Sequence, residues 1–285
     1  MDEMDQFDPA TNRTAEPEII PPGQERPLQP QLPRVRFPVT ATLVAINIAV
    51  FLLMVFTGVS AAEPTVRDVL RWGGDYGPFT LQGQWWRLIT SVFLHIGIIH
   101  IAANMWALWQ LGALSEMIFG HKFYLAIYLL CGIAGDLASL RFHPNIPGAG
   151  ASGAIFGLAG AMISVLKLAK LPAPKNALRG TLRSLVFFVI INIGIVGRIP
   201  GVDNAAHLGG FFCGLVLGAL LSWARFVNEE NRVRIRWASI CLVAVLLYGS
   251  FVALKRSYHP PNIMSANAFH HRDAEELVIC DFAIE

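Results

Sequence analysis

The sequence predicts an all-α membrane protein, a polytopic helical bundle, on three observations. Its 285 residues are 54% hydrophobic and only 15% charged, whereas a soluble domain devotes about a quarter of its residues to charge. Mean hydropathy is +0.50. The apolar residues gather into seven stretches, roughly 39–59, 92–114, 122–140, 150–169, 184–200, 205–226 and 236–254. Each approaches the ~20 residues that a helix needs to cross a hydrocarbon core. Lipid offers the backbone no hydrogen-bond partners, so continuous apolar runs of this kind fold as helices.

Taken in order, residues 1–36 come first, with Pro21, Pro22, Pro27, Pro30 and Pro33 among acids and glutamines. Such a segment buries no core and is expected as a disordered cytosolic arm. Asp2, Glu3 and Asp5 fit neither a signal peptide nor a mitochondrial presequence, so 39–59 is expected as a retained helix. Trp85-Trp86-Arg87 before the second stretch reads as an interfacial anchor. The second stretch carries His95, His100 and Asn104, and Glu116 after it reads as a helix cap or ion-pair member. The fourth opens on the small-residue turn Gly150-Ala151-Ser152-Gly153, and the sixth carries His207 just after Asp203-Asn204, a pair suited to N-capping. Domain bounds follow as 37–228 for a six-helix core, 229–256 for an additional helix and 257–285 for an extracytoplasmic tail.

Basic residues set the expected orientation. With the N-terminus cytoplasmic, the inner side receives Arg34, Arg36, Lys122, Lys167, Lys170, Lys175, Arg179, Arg183, Arg225, Arg232, Arg234 and Arg236. The outer side receives the smaller set Arg67, Arg71, Arg87, Arg141, Arg198, Lys255 and Arg256, so the N-terminus is expected inside and the C-terminus outside. Topology accounts for the basic residues, and no nucleic-acid partner is implied. Cys131, Cys213, Cys241 and Cys280 show no CxxC spacing, and no structural disulfide is expected.

Polar residues inside a bilayer cost a few kcal/mol unless they are paired or wetted, so they mark function. His100 and Asn104 are four apart and share a helix face. In the expected topology the second, fourth and sixth helices all run inward from the outer face. His100, Ser152 and His207 then fall near the start of their helices, at similar depth in the outer leaflet. Gly153, Gly157 and Ala161 on the fourth helix, and Gly210, Gly214 and Gly218 on the sixth, form two small-residue stripes that permit close backbone approach. A serine and a histidine on two such helices can reach hydrogen-bond distance, the arrangement that activates a serine nucleophile.

Gly150-Ala151-Ser152-Gly153 with Phe156-Gly157, His95…His100-Ile-x-x-Asn104-Met105, Ala206-His207-x-x-Gly210-x-x-x-Gly214, Trp86-Arg87 and Glu116-x-x-x-Gly120 together resemble the rhomboid family of intramembrane serine proteases. The resemblance spans about 85–215. It implies a six-helix rhomboid core, here with a C-terminal seventh transmembrane helix. It also implies an intramembrane serine endopeptidase with a Ser152–His207 dyad, in which Ser152 is nucleophile and His207 is general base and then acid. Asn104, His100 and the Ser152 N–H would stabilise the oxyanion. Phe156 would stack on His207, the fifth helix with Phe187-Phe188 would form a lateral gate, and 199–204 would cap the site. No cofactor, metal or ATP is implied. The partners implied are transmembrane protein substrates and membrane lipids, in a multi-pass protein of the bacterial inner membrane.

Other readings stay open on the residues themselves. Ser152 alone would serve as a packing residue, and His100 with Asn104 as interhelical hydrogen-bonding glue. His95, about 140° around the helix from His100, is expected to be structural. His121, His143, His259, His270 and His271 are expected to be solvated, and Asp203 to cap a helix rather than complete a triad. A catalytically silent rhomboid-like binder of membrane proteins keeps the same fold. A zinc protease lacks the expected HExxH pair, and a transporter lacks obvious repeats.

Overall fold

The computed structural model describes residues 36–169 and 171–260. The sequence-predicted arm and nearly all of the tail, with His270, His271 and Cys280, lie outside the described residues. Helices α1 (Pro38–Phe56), α5 (Ile98–Phe119), α6 (His121–Phe142), α7 (Ser152–Leu168), α8 (Lys175–Gly194), α9 (Asn204–Trp223) and α10 (Glu229–Ser257) form the bundle. Three short helices, α2 (Val66–Arg71), α3 (Gly77–Thr80) and α4 (Arg87–Thr90), build the connection between α1 and α5.

Helices α1, α6, α9, α10, and α8 with the turn that follows it are long and apolar enough to span a membrane. The segment Arg87–Phe93 joins α5 as a sixth candidate span, bent by 92°. Helix α7 has only 17 residues, about 26 Å at 1.5 Å per residue, against a core of about 30 Å. It is the hub of the bundle, with every residue from Gly153 to Val165 buried and with α5, α6, α8 and α9 packed around it. A helix of this length cannot reach both edges of such a core, and Ser152 stands at its first position.

Three boundaries differ from the hydropathy reading. The second stretch does not enter its helix at residue 92: the chain turns at 94–97, and α5 starts after Gly97, whose φ of +93° ends helical geometry. His95 therefore sits in this bend and not on the helix, fully buried, with its ring 5.2 Å from that of His100. Helix α8 begins at Lys175 after Pro174, about nine residues earlier than its apolar stretch, and α10 begins at Glu229. Lys, Arg and Glu are good helix formers, and apolarity alone does not register them.

Glu116 joins two elements distant in sequence. Its buried carboxylate accepts the backbone N–H groups of Val39 (2.9 Å) and Thr40 (2.8 Å) and the Thr40 hydroxyl (2.7 Å), and it also pairs with His121. An acid at the end of α5 thus caps the N-terminus of α1, where unpaired N–H groups and the helix dipole favour a negative charge. Arg87 holds the α1–α5 connection in a similar way. Its guanidinium donates to the carbonyls of Leu70 and Gly74, both at 2.8 Å, and to Gln84 at 2.7 Å. The anchor expected at Trp86-Arg87 is therefore divided, with Trp86 exposed and Arg87 buried as a clamp.

Candidate active site

The site begins with the turn that delivers Ser152. Gly150 has φ +138°, and a Cβ on it would stand 2.9 Å from Cε1 and 3.0 Å from Nε2 of His100. Only glycine lets the His100 ring lie this close to the turn. The Gly150 N–H donates to the Ser91 carbonyl at 2.9 Å, and Asp75 and Gly148 exchange backbone hydrogen bonds at 2.9 and 2.7 Å. The turn is therefore sewn to the α1–α5 connection at two points, Ser91 and Asp75. Ser152 follows as the first residue of α7, where its N–H belongs to the four donors that have no acceptor within the helix.

Helix α9 closes on α7 through the two small-residue stripes. A Cβ on Gly210 would meet the Gly153 carbonyl, one on Gly214 the Gly157 carbonyl, and one on Gly218 the Ala161 carbonyl. The stripes face each other one to one, so no side chain larger than hydrogen fits at the α9 positions. This contact brings His207, in the first turn of α9, onto Phe156: the rings stack with centroids 4.3 Å apart and planes 9° from parallel. Phe156 lies four residues after Ser152, on the same face of α7. Ser152 and Phe156 therefore share one face of α7, the His207 ring of α9 stacks on Phe156, and the His100 ring lies against the preceding turn.

The hydrogen bonds assign roles to donors. The Ile96 N–H donates to His100 Nδ1 at 3.3 Å, so in the neutral ring the proton sits on Nε2. That N–H is the edge beside Gly150. Asn104, buried on α5, donates one amide hydrogen to the His100 carbonyl at 3.1 Å and keeps a second. His207 is buried, and its Nδ1 has no partner among the described residues. Ser152 and His207 make no hydrogen bond with each other in this structure; the contact of His207 is the stack on Phe156.

Asp203 is the N-cap of α9, accepting the Ala206 N–H at 3.0 Å, with His143 Nδ1 at 3.7 Å from the same carboxylate. The capping role expected for it is the one it has. Burial pushes the Asp75 carboxyl up to about 7, against the opposing effects of its Thr80 hydrogen bond and of Arg87.

Two residues next to the site are absent from the sequence reading. Asp136 is a buried carboxyl near the end of an apolar stretch, and Ser91 Oγ lies 2.6 Å from both Asp136 Oδ2 and the Arg87 carbonyl. The signal for Asp136 was present in the sequence as a lone acid within a membrane helix.

The Rhomboid domain family model matches residues 82–224. "Rhomboid protease GluP" of Bacillus subtilis (strain 168) is 38% identical over 209 residues, which cover 73% of this chain and 40% of that protein. "RHOMBOID-like protein 7" of Arabidopsis thaliana is 39% identical over 159 residues, 55% of this chain and 50% of that protein. "Rhomboid protease AarA" of Providencia stuartii is 31% identical over 228 residues, 72% of this chain and 78% of that protein. The matched part thus spans half or less of the first two relatives and most of the third. With half of its length matched by the family model and with five sequence motifs set on one helical bundle, the chain belongs to the rhomboid family, as an all-α integral membrane protein that passes the bilayer several times.

Proposed function

We propose that the protein is an intramembrane serine endopeptidase working through a Ser152–His207 dyad. The observation that carries this reading is the closure of α9 on α7, glycine against carbonyl, which stacks His207 on Phe156 one turn from Ser152.

In this mechanism the substrate carbonyl enters between the Gly150 turn and His207. His207 carries its proton on Nδ1 and accepts the Ser152 hydroxyl proton on Nε2 as the oxygen attacks. The negative charge that develops on the carbonyl oxygen meets three donors, the Ser152 N–H, His100 Nε2–H and the second Asn104 amide hydrogen. His207 then returns its proton to the leaving amine, and water attacks the acyl-enzyme by the same route in reverse. Asp203 stays on the α9 terminus and takes no part. Substrates are the transmembrane segments of other proteins, cut near their outer ends, where small or helix-destabilising residues let a peptide bond leave its helical hydrogen bonds. The excess of basic residues near Lys175 supports an N-terminus inside a bacterial cell membrane, with the product ectodomain released on the opposite side.

The test is cleavage of a model transmembrane substrate by wild type and Ser152→Ala, with a metal chelator in both arms and with the side of ectodomain release read in intact cells. Wild type is expected to cut and release outward, and the variant to be inactive with its fold intact. A wild-type protein that binds the substrate without cutting it would instead identify a silent rhomboid-like binder.

A further inference from the structure

Asp136 is a buried carboxyl on α6, six residues before the helix ends, and Ser91 is its hydrogen-bond partner. It makes no ion pair with a described residue. The Ser91 hydroxyl has one hydrogen and faces two oxygens, the Arg87 carbonyl and Asp136 Oδ2, each at 2.6 Å. A carbonyl oxygen accepts and cannot donate, so if Asp136 were a carboxylate, one of these two contacts would set bare lone pairs against each other. A carboxylic acid removes the conflict: Asp136 donates to Ser91 Oγ, and Ser91 Oγ donates to the Arg87 carbonyl.

The chain of bonds continues into the site. Ser91's own carbonyl accepts the Gly150 N–H at 2.9 Å, and Gly150 is the residue against which the His100 ring rests. The neighbour of Asp136, Gly135, lies where a Cβ would stand 2.8 Å from the Ala206 carbonyl and 3.3 Å from the Gly153 Cα. This stretch of α6 is thus wedged between the serine helix and the histidine helix, and Asp136 is tied to the turn that precedes Ser152.

We propose that Asp136 is a positioning residue whose protonated carboxyl, through Ser91, holds the Gly150 N–H and with it the turn carrying Ser152 and the oxyanion donors. It touches no reacting atom. The inference rests on the proposed peptidase reading for its kinetic consequence but not for its structural one. An asparagine at the position keeps a donor to Ser91 Oγ, whereas alanine leaves that oxygen without one and loosens the turn.

The experiment uses the full chain in proteoliposomes and compares wild type, Asp136→Asn, Asp136→Ala, Ser91→Ala and the double alanine variant. Two readouts are taken, hydrogen–deuterium exchange over residues 148–153 and steady-state cleavage of a model transmembrane substrate. Asp136→Ala is expected to speed exchange of that segment about tenfold and to lower kcat about tenfold with KM within about twofold, the scale of one lost buried hydrogen bond. Asp136→Asn is expected to restore both. The double alanine variant is expected to be no worse than either single one, because the two residues act in one chain. Wild-type exchange in Asp136→Ala would overturn the tether, and equal loss in Asp136→Asn and Asp136→Ala would overturn the donor role. A wild-type protein that shows the exchange pattern but cuts nothing would overturn the peptidase reading and leave the tether standing.

Discussion

Helices α8 and α9 flank the same serine helix and could hardly pack on it more differently. Helix α9 lays Gly210, Gly214 and Gly218 on the carbonyls of α7 and buries seven residues. Helix α8 buries Leu185 alone and reaches the site through Phe188, whose ring stands 5.3 Å from Phe156. The proposed peptidase reading, which holds a nucleophile and a base in register yet admits another protein's helix, calls for one wall fixed and one wall free. The difference teaches which wall is which: the proposed dyad residue His207 is on the fixed side, and α8 is the less buried of the two helices.

The strongest way to break this comparison is to widen the fixed wall. Gly214→Leu sets a side chain against the Gly157 backbone, and overpacking a tight contact costs roughly 1–3 kcal/mol or more. We expect loss of cleavage together with a large fall in thermal stability, whereas Ile190→Leu on the exposed face of α8 leaves both unchanged. If Gly214→Leu keeps wild-type stability, the α7–α9 contact is looser than described.

The latch between Asp75 and Gly148 sharpens the comparison on the same fixed side. The folded protein raises the Asp75 pKa from 3.8 to about 7, so folding favours the protonated form. The stability this contributes is fully present below 3.8 and is lost as pH rises through about 7. Relative to Asp75→Asn, wild type should therefore lose melting temperature between those limits, by several degrees. A constant difference across that window would show that Asp75 is ionised throughout.

The smallest effect belongs to the free wall. Phe188→Ala removes an aromatic pair worth about 0.5–1.5 kcal/mol, so α8 should open more often at a small cost in stability. Expected is a rise in kcat/KM of about twofold to tenfold with Tm lowered by a few degrees at most, read on a transmembrane substrate. A fall in kcat/KM would instead make Phe188 a support for Phe156 and His207.

Much of this architecture was legible in the sequence, for reasons that vary by residue. The stripes at 153, 157 and 161 and at 210, 214 and 218 were readable because a period of four on a helix has one structural meaning, and the structure pairs them one to one. The Asp203 cap was readable from residue type and position. The bend that takes His95 off its helix was not, because Leu94 and Ile96 are equally apolar in a turn, and only Gly97 hinted at the break. Glu116 was read as a cap or ion pair, but its target, the N-terminus of α1, is a tertiary contact without a local signature. Ser91 was invisible for the same reason, since it acts through its backbone carbonyl as much as its hydroxyl.

The central claim, that His207 activates Ser152, is tested most directly by labelling with a serine-directed fluorophosphonate. The protein is held in detergent with a chelator present, and the modified residue is located by peptide mass mapping. The account predicts that label appears on Ser152 in wild type and disappears in His207→Ala, while circular dichroism of the two proteins stays the same. Undiminished labelling of Ser152 in His207→Ala would contradict it.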